Sequence, residues 1–154
     1  MREQDLLPLL GRYRQEGKRI VMTNGCFDLL HIGHVRYLQE ARRQGDLLVV
    51  ALNSDQSVRA IRGPKRPLIP EQERAEILAA LACVDYIVLF DETDPLRLIQ
   101  AILPHTLAKG GDWTLDRIIG REVVEQAGGR VFSIPLTPGS STTTLIERIL
   151  ERYK

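Results

Sequence analysis

Five short runs of apolar residues are spaced along the chain. Each run is shorter than an ordinary helix and lacks the polar–apolar alternation of a half-exposed strand. Continuous apolar strands of this kind are typical of parallel sheets that are covered on both faces. The pattern therefore predicts buried strands at residues 19–23, 47–53, 86–90, 106–108 and 130–134.

Between these runs, apolar residues recur at helical spacing. In residues 34–44, for example, Val35, Leu38 and Ala41 lie three residues apart, which gives a helix one apolar face. The same reasoning predicts helices at 34–44, 71–83, 95–103, 120–127 and 141–153, and a helical segment at 1–17. The apolar side chains of that first segment could pack on the domain or on a partner molecule; they are Leu6, Leu7, Leu9, Leu10 and Tyr13.

The alternation of strands and helices predicts the fold class. This order over the whole length is typical of an α/β protein with a parallel sheet. We expect a single Rossmann-like domain with a five-stranded parallel sheet flanked by helices. It would cover residues 1–154, with the segment 1–17 followed by the core at 19–150. In such a sheet, ligands bind at the carboxyl ends of the strands, where the chain order reverses.

The composition narrows the class of partner. The chain has 154 residues, 44% of them hydrophobic, and a formal net charge of +1. This balance argues against a general binder of nucleic acid, which would carry a basic excess. The sequence offers no signal peptide or membrane span, and Cys26 and Cys83 fit reduced thiols rather than a disulfide framework. We therefore expect a cytoplasmic protein that binds small molecules, and neither nucleic acid nor membrane.

Candidate chemistry follows directly after the first strand, in the segment Thr23-Asn24-Gly25-Cys26-Phe27-Asp28-Leu29-Leu30-His31-Ile32-Gly33-His34. Gly25 permits a tight turn, and Gly33 permits close approach of a ligand to the backbone. We expect a helix to begin near His34, so that its free N–H groups face this loop as an anion site. His31 and His34 are three residues apart and can face the same point.

Two histidines at a helix N-terminus beside a glycine turn suit phosphoryl or nucleotidyl transfer. Imidazoles can donate hydrogen bonds to the oxygens of the transferring group, and no protein nucleophile is needed when a substrate phosphate attacks. The alternative is that His31 and His34 ligate a metal or are simple surface residues. Their position between a strand and a helix favours the phosphate interpretation, and we expect no metal site formed by protein side chains.

The segment GCFDLLHIGH resembles the phosphate-binding motif of the HIGH nucleotidyltransferase superfamily. Members of this superfamily transfer a nucleoside monophosphate from an NTP to a phosphate or related acceptor, usually with Mg²⁺. The resemblance implies that His31 and His34 contact the triphosphate and stabilise the transition state. Asp28 either caps the turn or helps to orient the site, and Cys26 is expected to pack rather than to act as a nucleophile.

Four further segments follow strands or open helices. Ser54 or Asp55 can cap the helix after the second strand. Residues 59–67 carry four positive charges and no acid, and form either a solvated basic loop or an electrostatic lid over phosphates. Lys109 can reach a phosphate from the fourth strand, and Trp113 suits core packing and base stacking equally. The hydroxyl groups of residues 140–144 either cap the last helix or bind phosphate together with its N–H groups.

Together these segments resemble the bacterial D-glycero-β-D-manno-heptose 1-phosphate adenylyltransferases over nearly all of residues 19–150. The shared pattern reads NSDxSVRxIRGxxRPLIPxxxRAEILAAL, followed by KGGDW, IIGxxxV, GG and GxSTT. The resemblance implies transfer of AMP from ATP to the sugar phosphate with release of pyrophosphate, for heptose-containing surface glycans such as lipopolysaccharide. It also implies Mg²⁺ with ATP, a homodimer, and a stand-alone form whose pathway kinase is encoded separately.

The resemblance also implies roles for individual residues. The catalytic residues would be His31, His34 and Lys109. The residues around the nucleotide would be Thr23, Asn24, Gly25, Cys26, Phe27, Gly33, Gly110, Asp112, Ser141, Thr142 and Thr143. Those on the sugar-phosphate side would be Asp28, Asn53, Asp55, Arg62 and Arg66.

Other positions bear on the choice among family members. Cytidylyltransferases carry Arg-Thr where this chain has Leu136-Thr137, which weakens an interpretation with CTP. We expect His105 to lie in a surface turn without a chemical role, and Arg74 and Asp85 to form a buried ion pair. The alternatives are a related transferase that acts on glycerol 3-phosphate with CTP or on FMN with ATP, and a non-catalytic nucleotide-binding module.

Overall fold

Strands and helices alternate through residues 1–111 and 114–154, which are the residues that the computed structural model of the protein describes. The strands are β1 (Ile20–Gly25), β2 (Leu47–Asn53), β3 (Tyr86–Phe90), β4 (Thr106–Gly110) and β5 (Arg130–Ile134). The helices are α1 (Glu3–Gln15), α2 (Ile32–Arg42), α3 (Asp55–Arg62), α4 (Glu71–Ala79), α5 (Leu96–Ile102), α6 (Arg121–Gln126) and α7 (Thr142–Arg152). In this part of the chain, no helix is long and apolar enough to cross a membrane.

The strands form one parallel sheet in the order β3-β2-β1-β4-β5. The prediction of a five-stranded parallel sheet flanked by helices is confirmed. From β1 the chain adds β2 and β3 on one side, then returns to place β4 on the other side of β1. Chain order therefore reverses between β1 and β4, and the loops after these two strands border the crevice in which such sheets bind ligands.

The first helix packs on its own domain. Leu6 and Leu10 of α1 are fully buried and share a cluster with Met22 of β1 and with Ile99 and Ile102 of α5. Full burial of each leucine contributes roughly 1.5–3 kcal/mol. The opposite face of the sheet is covered by apolar side chains of α2 and α4, which are Leu38, Ala41 and Leu78.

Helices α3 and α2 change the picture of the segments around the predicted site. Residues 55–62 form α3, so the first half of the basic segment is helical rather than a loop. Ser54 caps this helix, because its Oγ accepts a hydrogen bond from Ser57 N at 3.2 Å. Helix α2 begins at Ile32 rather than near His34, with His31 as its N-cap residue. Helices begin where a side chain can accept a hydrogen bond from the first free N–H groups, and the imidazole of His31 does so here.

The expected ion pair between Arg74 and Asp85 is wrong. Arg74 Nη2 lies 2.8 Å from Asp55 Oδ1, and Asp85 Oδ2 lies 2.9 Å from Arg42 Nε. Arg74 is near the start of α4 and reaches the carboxyl ends of the strands, whereas Asp85 accepts a hydrogen bond from the start of β2, at Leu48 N. Arg74 therefore lies at the carboxyl ends of the strands, and Asp85 lies at their amino ends.

His105 is a structural residue rather than a free surface turn. Its Nδ1 accepts a hydrogen bond from Ile20 N at 2.9 Å, and its own N–H donates to Ile20 O at 2.9 Å. His105 therefore ties the start of β4 to the start of β1, at the edge of the sheet opposite the ligand crevice.

Candidate active site

A cavity of about 380 Å³ opens at the carboxyl edge of the sheet. Its wall combines the loop after β1, the start of α2, the end of β4 and the segment that leads into α7. Most of the predicted site residues meet there, although their individual roles stay predictions. Those at the wall are Asn24, Gly25, Cys26, Phe27, Asp28, His31, Gly33, His34, Arg62, Arg66, Lys109, Gly110, Ser141, Thr142 and Thr143.

His31 and His34 use their Nδ1 atoms to cap the start of α2. His31 Nδ1 accepts a hydrogen bond from Gly33 N at 3.1 Å, and His34 Nδ1 accepts one from His31 N at 3.4 Å. This is a capping box in which two imidazoles replace the usual hydroxyl and carboxylate. Because each Nδ1 accepts a hydrogen bond, each neutral imidazole carries its proton on Nε2.

Burial keeps this pair of imidazoles neutral. The two rings stack with their centroids 3.8 Å apart. Burial, together with the neighbouring His31, lowers the pKa of His34 to about 4, and burial also lowers the pKa of His31. At neutral pH the pair therefore presents two neutral Nε2–H donors rather than two cations. Since both residues line the cavity, these donors can serve the oxygens of a bound anion.

A second helix N-terminus borders the same cavity. Helix α7 begins at Thr142, and the N-cap residue Ser141 accepts a hydrogen bond from Thr144 N at 3.0 Å through its Oγ. The residues that open α2 and α7 lie on one cavity wall. Free N–H groups and the positive ends of two helix dipoles therefore face one space, which favours a phosphate ligand.

Gly33 allows these two helix starts to approach each other. A Cβ at this position would lie 2.8 Å from His31 Cε1 and 3.2 Å from Ser140 Cβ. Such contacts are too close, so a side chain at Gly33 would displace the His31 ring or separate the helices. Gly33, which was predicted to allow close approach of a ligand, thus also fixes the position of the His31 ring.

Lys109 carries a positive charge into the cavity from the end of β4. Its Nζ donates a hydrogen bond to Asn24 Oδ1, at the end of β1, at 3.0 Å. Burial lowers the pKa of Lys109. Because this hydrogen-bond partner is a neutral amide, the charge of the ammonium group is left for a bound anion.

Asp28 reaches the cavity wall, but other groups occupy its carboxylate. The residue is 2% exposed and accepts hydrogen bonds from Arg66 Nε at 2.5 Å, Leu68 N at 2.9 Å and Ile69 N at 2.9 Å. Although burial alone would raise the pKa of Asp28, the hydrogen bonds from Ile69, Leu68 and Arg66 hold it below its ordinary value. Asp28 therefore anchors residues 66–69 and orients Arg66, and its direct contact with substrate stays a prediction.

Three other predicted site residues do not line the cavity. Thr23 is fully buried, and its hydroxyl group forms a hydrogen bond with the hydroxyl group of Tyr37. Asn53 is 3% exposed and donates from Nδ2 to Ser57 Oγ at 2.9 Å, and the Asp55 carboxylate pairs with Arg74. In this structure these three side chains bond to neighbouring protein groups at the ends of β1 and β2, and their contacts with nucleotide or sugar phosphate stay predictions.

Two predicted residues cannot be placed, and several wall residues were not predicted. Asp112 and Trp113 lie outside the described residues. The wall also contains Tyr37, Pro135, Leu136, Thr137 and Ser140. Pro135, Leu136 and Thr137 precede the GxSTT segment and Ser140 lies within it, so proximity to that motif was a usable signal. For Tyr37 the signal was its position one helical turn after His34 on α2.

The described residues do not provide a resident metal site. They contain no group of three or more His, Cys, Asp and Glu side chains that could hold a metal ion. The carboxylate of Asp28 at the wall is taken up by Arg66 and by two backbone N–H groups.

Comparison with known proteins gives the class to which the chain belongs. Residues 22–148 match the family model described as "Cytidylyltransferase-like". The chain belongs to the cytidylyltransferase-like family. The matched residues contain the glycine turn after β1 and the histidine pair that opens α2.

Similar proteins extend over almost the whole chain. The "Bifunctional protein HldE" of Pelobacter propionicus is 60% identical over 154 residues, which cover 99% of this chain and 32% of that protein. The protein of the same name from Geobacter sulfurreducens is 58% identical over 148 residues, which cover 96% of this chain and 30% of the relative. The chain thus spans about a third of the length of these relatives.

A solved structure has the same fold. The lipopolysaccharide core biosynthesis protein from Thermoplasma volcanium superposes with a TM-score of 0.64 at 30% sequence identity. The match covers 79% of this chain and 98% of that chain. The fold described above is therefore that of a solved relative and is consistent with the family assignment.

Proposed function

We propose that this chain is a nucleotidyltransferase that transfers AMP from ATP to D-glycero-β-D-manno-heptose 1-phosphate, giving ADP-heptose and pyrophosphate. The observation that carries the proposal is the convergence of two neutral histidines, two helix N-termini and Lys109 on one cavity. A triphosphate and a sugar phosphate are both rich in anionic oxygens, which this set of donors suits. A product for heptose-containing surface glycans also fits the name of the Thermoplasma volcanium relative, which refers to lipopolysaccharide core biosynthesis.

The proposed reaction is an in-line displacement at the α-phosphorus of ATP. An oxygen of the sugar phosphate forms the new bond to this phosphorus, and the bond to the oxygen that bridges the α- and β-phosphorus atoms breaks. Pyrophosphate leaves with that oxygen. No proton has to be removed from the attacking oxygen, because a phosphate monoester is largely dianionic at neutral pH. The protein therefore needs no general base and contributes binding, orientation and charge stabilisation.

His31, His34 and Lys109 are proposed to stabilise the developing charge. Each Nε2–H would donate to a phosphate oxygen without a proton transfer, because both imidazoles stay neutral. The ammonium group of Lys109 would add one positive charge from the end of β4. Each donor that is aimed at transition-state charge contributes about 2.7–4 kcal/mol in enzymes of known mechanism.

The two ends of the cavity are proposed to separate the two substrates. The nucleotide phosphates would lie between the loop after β1 and the start of α7, near Asn24, Gly25, Cys26, Phe27, Gly33, Gly110, Ser141, Thr142 and Thr143. The sugar phosphate would lie against Arg62 and Arg66, the two cavity-lining cations that precede α4. Asp28 would act on this second substrate through Arg66, which it holds by an ion pair.

Mg²⁺ is proposed to enter as the Mg²⁺ complex of ATP, as part of the substrate. The ion neutralises part of the charge on the phosphates when it is bound. The residues of this chain then have to hold the complex rather than the ion itself. This assignment agrees with the small number of free carboxylates at the cavity wall, where Asp28 is already engaged.

A substrate panel tests the proposed function. Purified protein is mixed with ATP, CTP, GTP or UTP, and with heptose 1-phosphate, glycerol 3-phosphate or FMN, and pyrophosphate release is measured. We expect ATP with heptose 1-phosphate to exceed every other pair by roughly 10²-fold or more in kcat/KM. Faster release with CTP and glycerol 3-phosphate, or with ATP and FMN, would replace the proposed substrates. Nucleotide binding without release across the whole panel would favour a non-catalytic module.

The enzyme is also proposed to work in the cytoplasm as a homodimer. Cys26 and Cys83 are free, which suits a reducing compartment. Exposed apolar side chains on α7, among them Ile149 at 46% and Leu150 at 59%, offer a surface that a second copy could cover. Size-exclusion chromatography with light scattering should give twice the mass of one chain, and the mass of a single chain would overturn the dimer.

A further inference from the structure

Strands β1 and β4 separate as they approach the cavity. Their parallel ladder pairs Val21 with Thr106 and Met22 with Leu107. Beyond this point, β1 continues as residues 23–25 and β4 continues as residues 108–110, but the ladder between them gives no further pairs in the described residues. The opening between the two strands is the floor of the cavity, where the chain order reverses.

Tyr37 of α2 bridges this opening. Its hydroxyl group donates a hydrogen bond to Ala108 O of β4 at 3.2 Å. A phenol has only one proton to donate, so the hydrogen bond to Thr23 of β1 runs from the threonine hydroxyl to the Tyr37 oxygen. Burial raises the pKa of Tyr37 to about 12, which keeps the hydroxyl group protonated. The ring also packs against Gly110, where an added Cβ would lie 3.2 Å from Tyr37 Cε2.

A second link spans the opening one residue further along both strands. Lys109 Nζ of β4 donates to Asn24 Oδ1 of β1 at 3.0 Å. Tyr37 therefore holds the residues that directly precede both partners of this link, namely Thr23 and Ala108. Two side-chain links thus replace the missing backbone hydrogen bonds, and the position of the Lys109 ammonium group depends on the first link.

We infer that Tyr37 is a positioning residue that sets the separation of β1 and β4 at the cavity floor and thereby places Lys109 against the phosphates of the bound nucleotide. The inference rests on the proposed function, in which Lys109 stabilises transition-state charge. Tyr37 is also anchored on the helix that the histidine pair opens. One rigid element therefore relates the Nε2–H donors on α2 to the ammonium group on β4.

Tyr37→Phe tests this inference, because it keeps the ring and removes only the bridging hydroxyl group. We expect kcat with ATP and heptose 1-phosphate to fall roughly tenfold, since small displacements of a charge-stabilising group cost rate. KM for ATP should change by no more than about threefold, because ground-state binding is spread over many donors. In a Lys109→Ala background, where the group to be positioned is gone, the same substitution should change kcat by less than about twofold.

A matched control separates positioning from general stability. Tyr13→Phe removes a hydroxyl group from another hydrogen-bonded tyrosine, whose partner Tyr86 OH is 2.7 Å away and remote from the cavity. We expect Tyr13→Phe to retain wild-type kcat even where it lowers the unfolding temperature as much as Tyr37→Phe does. Unchanged kcat in Tyr37→Phe, an equal kcat loss in Tyr13→Phe, or a full tenfold loss that persists in the Lys109→Ala background would each overturn the inference.

The activity of the wild-type enzyme tests the proposed function, whereas the comparison of the variants tests the role of Tyr37. If heptose 1-phosphate is not the acceptor, the same variants are compared with the substrate pair that the panel identifies. If no pair turns over in the wild type, the proposed function fails, and the role of Tyr37 in placing Lys109 for transition-state charge fails with it. With another substrate pair, the proposed function can fail while the coupling between Tyr37 and Lys109 is still found, and a lack of coupling overturns only the role of Tyr37.

Discussion

Replacing His34 by asparagine is expected to lower kcat by about 10²- to 10³-fold and to leave the unfolding temperature nearly unchanged. The two nitrogens of this imidazole have separate tasks. Nδ1 accepts a hydrogen bond from His31 N at 3.4 Å and helps to cap α2, whereas Nε2–H is the proposed donor to a phosphate oxygen. The amide oxygen of asparagine can take the place of Nδ1, but nothing in that side chain takes the place of Nε2.

Two further variants isolate the loss of this donor. His34→Ala removes the cap as well, so we expect a similar loss of kcat together with about 0.5–2 kcal/mol of stability. His105→Asn is the matched control, because His105 Nδ1 likewise accepts a backbone hydrogen bond, from Ile20 N at 2.9 Å, but far from the cavity. We expect it to keep wild-type kcat. A His34→Asn enzyme with kcat within about threefold of wild type would contradict the role of His34.

The protonation of His34 gives a readout that does not depend on substrate. Its pKa in the folded protein is lowered from 6.5 to about 4, so the unfolded chain takes up this proton at higher pH than the folded chain. The stability that comes from the neutral imidazole is therefore complete above pH 6.5 and is lost progressively as the pH falls towards 4. Urea unfolding across this range should show a larger loss in the wild type than in His34→Asn.

The strands were predictable because burial on both faces leaves a direct mark on the sequence. β2 and β3 occupy the predicted residues, since their side chains are apolar on both sides. The end of β4 was missed because Lys109 and Gly110 interrupt the apolar run. These residues continue the strand by pairing with Ser133 and Ile134, and their polar character belongs to the cavity rather than to a loop.

Side-chain partners were less predictable, because they depend on where each helix places its ends. The sequence indicates that Asp55 follows β2 near the start of a helix, but not that its carboxylate pairs with Arg74 of α4. Similarly, the resemblance places Thr23 around the nucleotide phosphates, whereas its side chain is fully buried and bonds to the hydroxyl group of Tyr37. A resemblance assigns a residue to a motif, but packing decides which groups its side chain contacts.

Loss of Arg74 is expected to be the most destabilising change at the site. Its side chain is fully buried and donates to Cys26 O at 2.6 Å, Asn53 O at 2.8 Å, Ile69 O at 2.9 Å and Asp55 Oδ1 at 2.8 Å. These acceptors belong to the loop after β1, the end of β2, the segment held by Asp28 and the start of α3. One guanidinium group therefore joins the segments that support the cavity from behind.

Arg74→Met should lower the free energy of unfolding by about 3–5 kcal/mol, because it leaves a carboxylate and three backbone carbonyl groups without their donor. That is a large part of the roughly 5–15 kcal/mol that stabilises an ordinary domain. Urea unfolding measures the difference. If the methionine variant does not fold, Arg74→Lys keeps the charge but loses the planar fork of donors, and is expected to cost about 1–3 kcal/mol.

Arg42→Met is the matched control for this prediction. Arg42 also pairs with an aspartate at 2.9 Å, but the side chains of Arg42 and Asp85 are 34% and 27% exposed. Because water can replace much of this interaction, the loss should be about 0–1 kcal/mol. Equal losses in Arg74→Met and Arg42→Met would show that burial of the guanidinium group is not what makes Arg74 important. A loss confined to Arg74 would show that the fold depends on this buried guanidinium group far more than on the partly exposed one of Arg42.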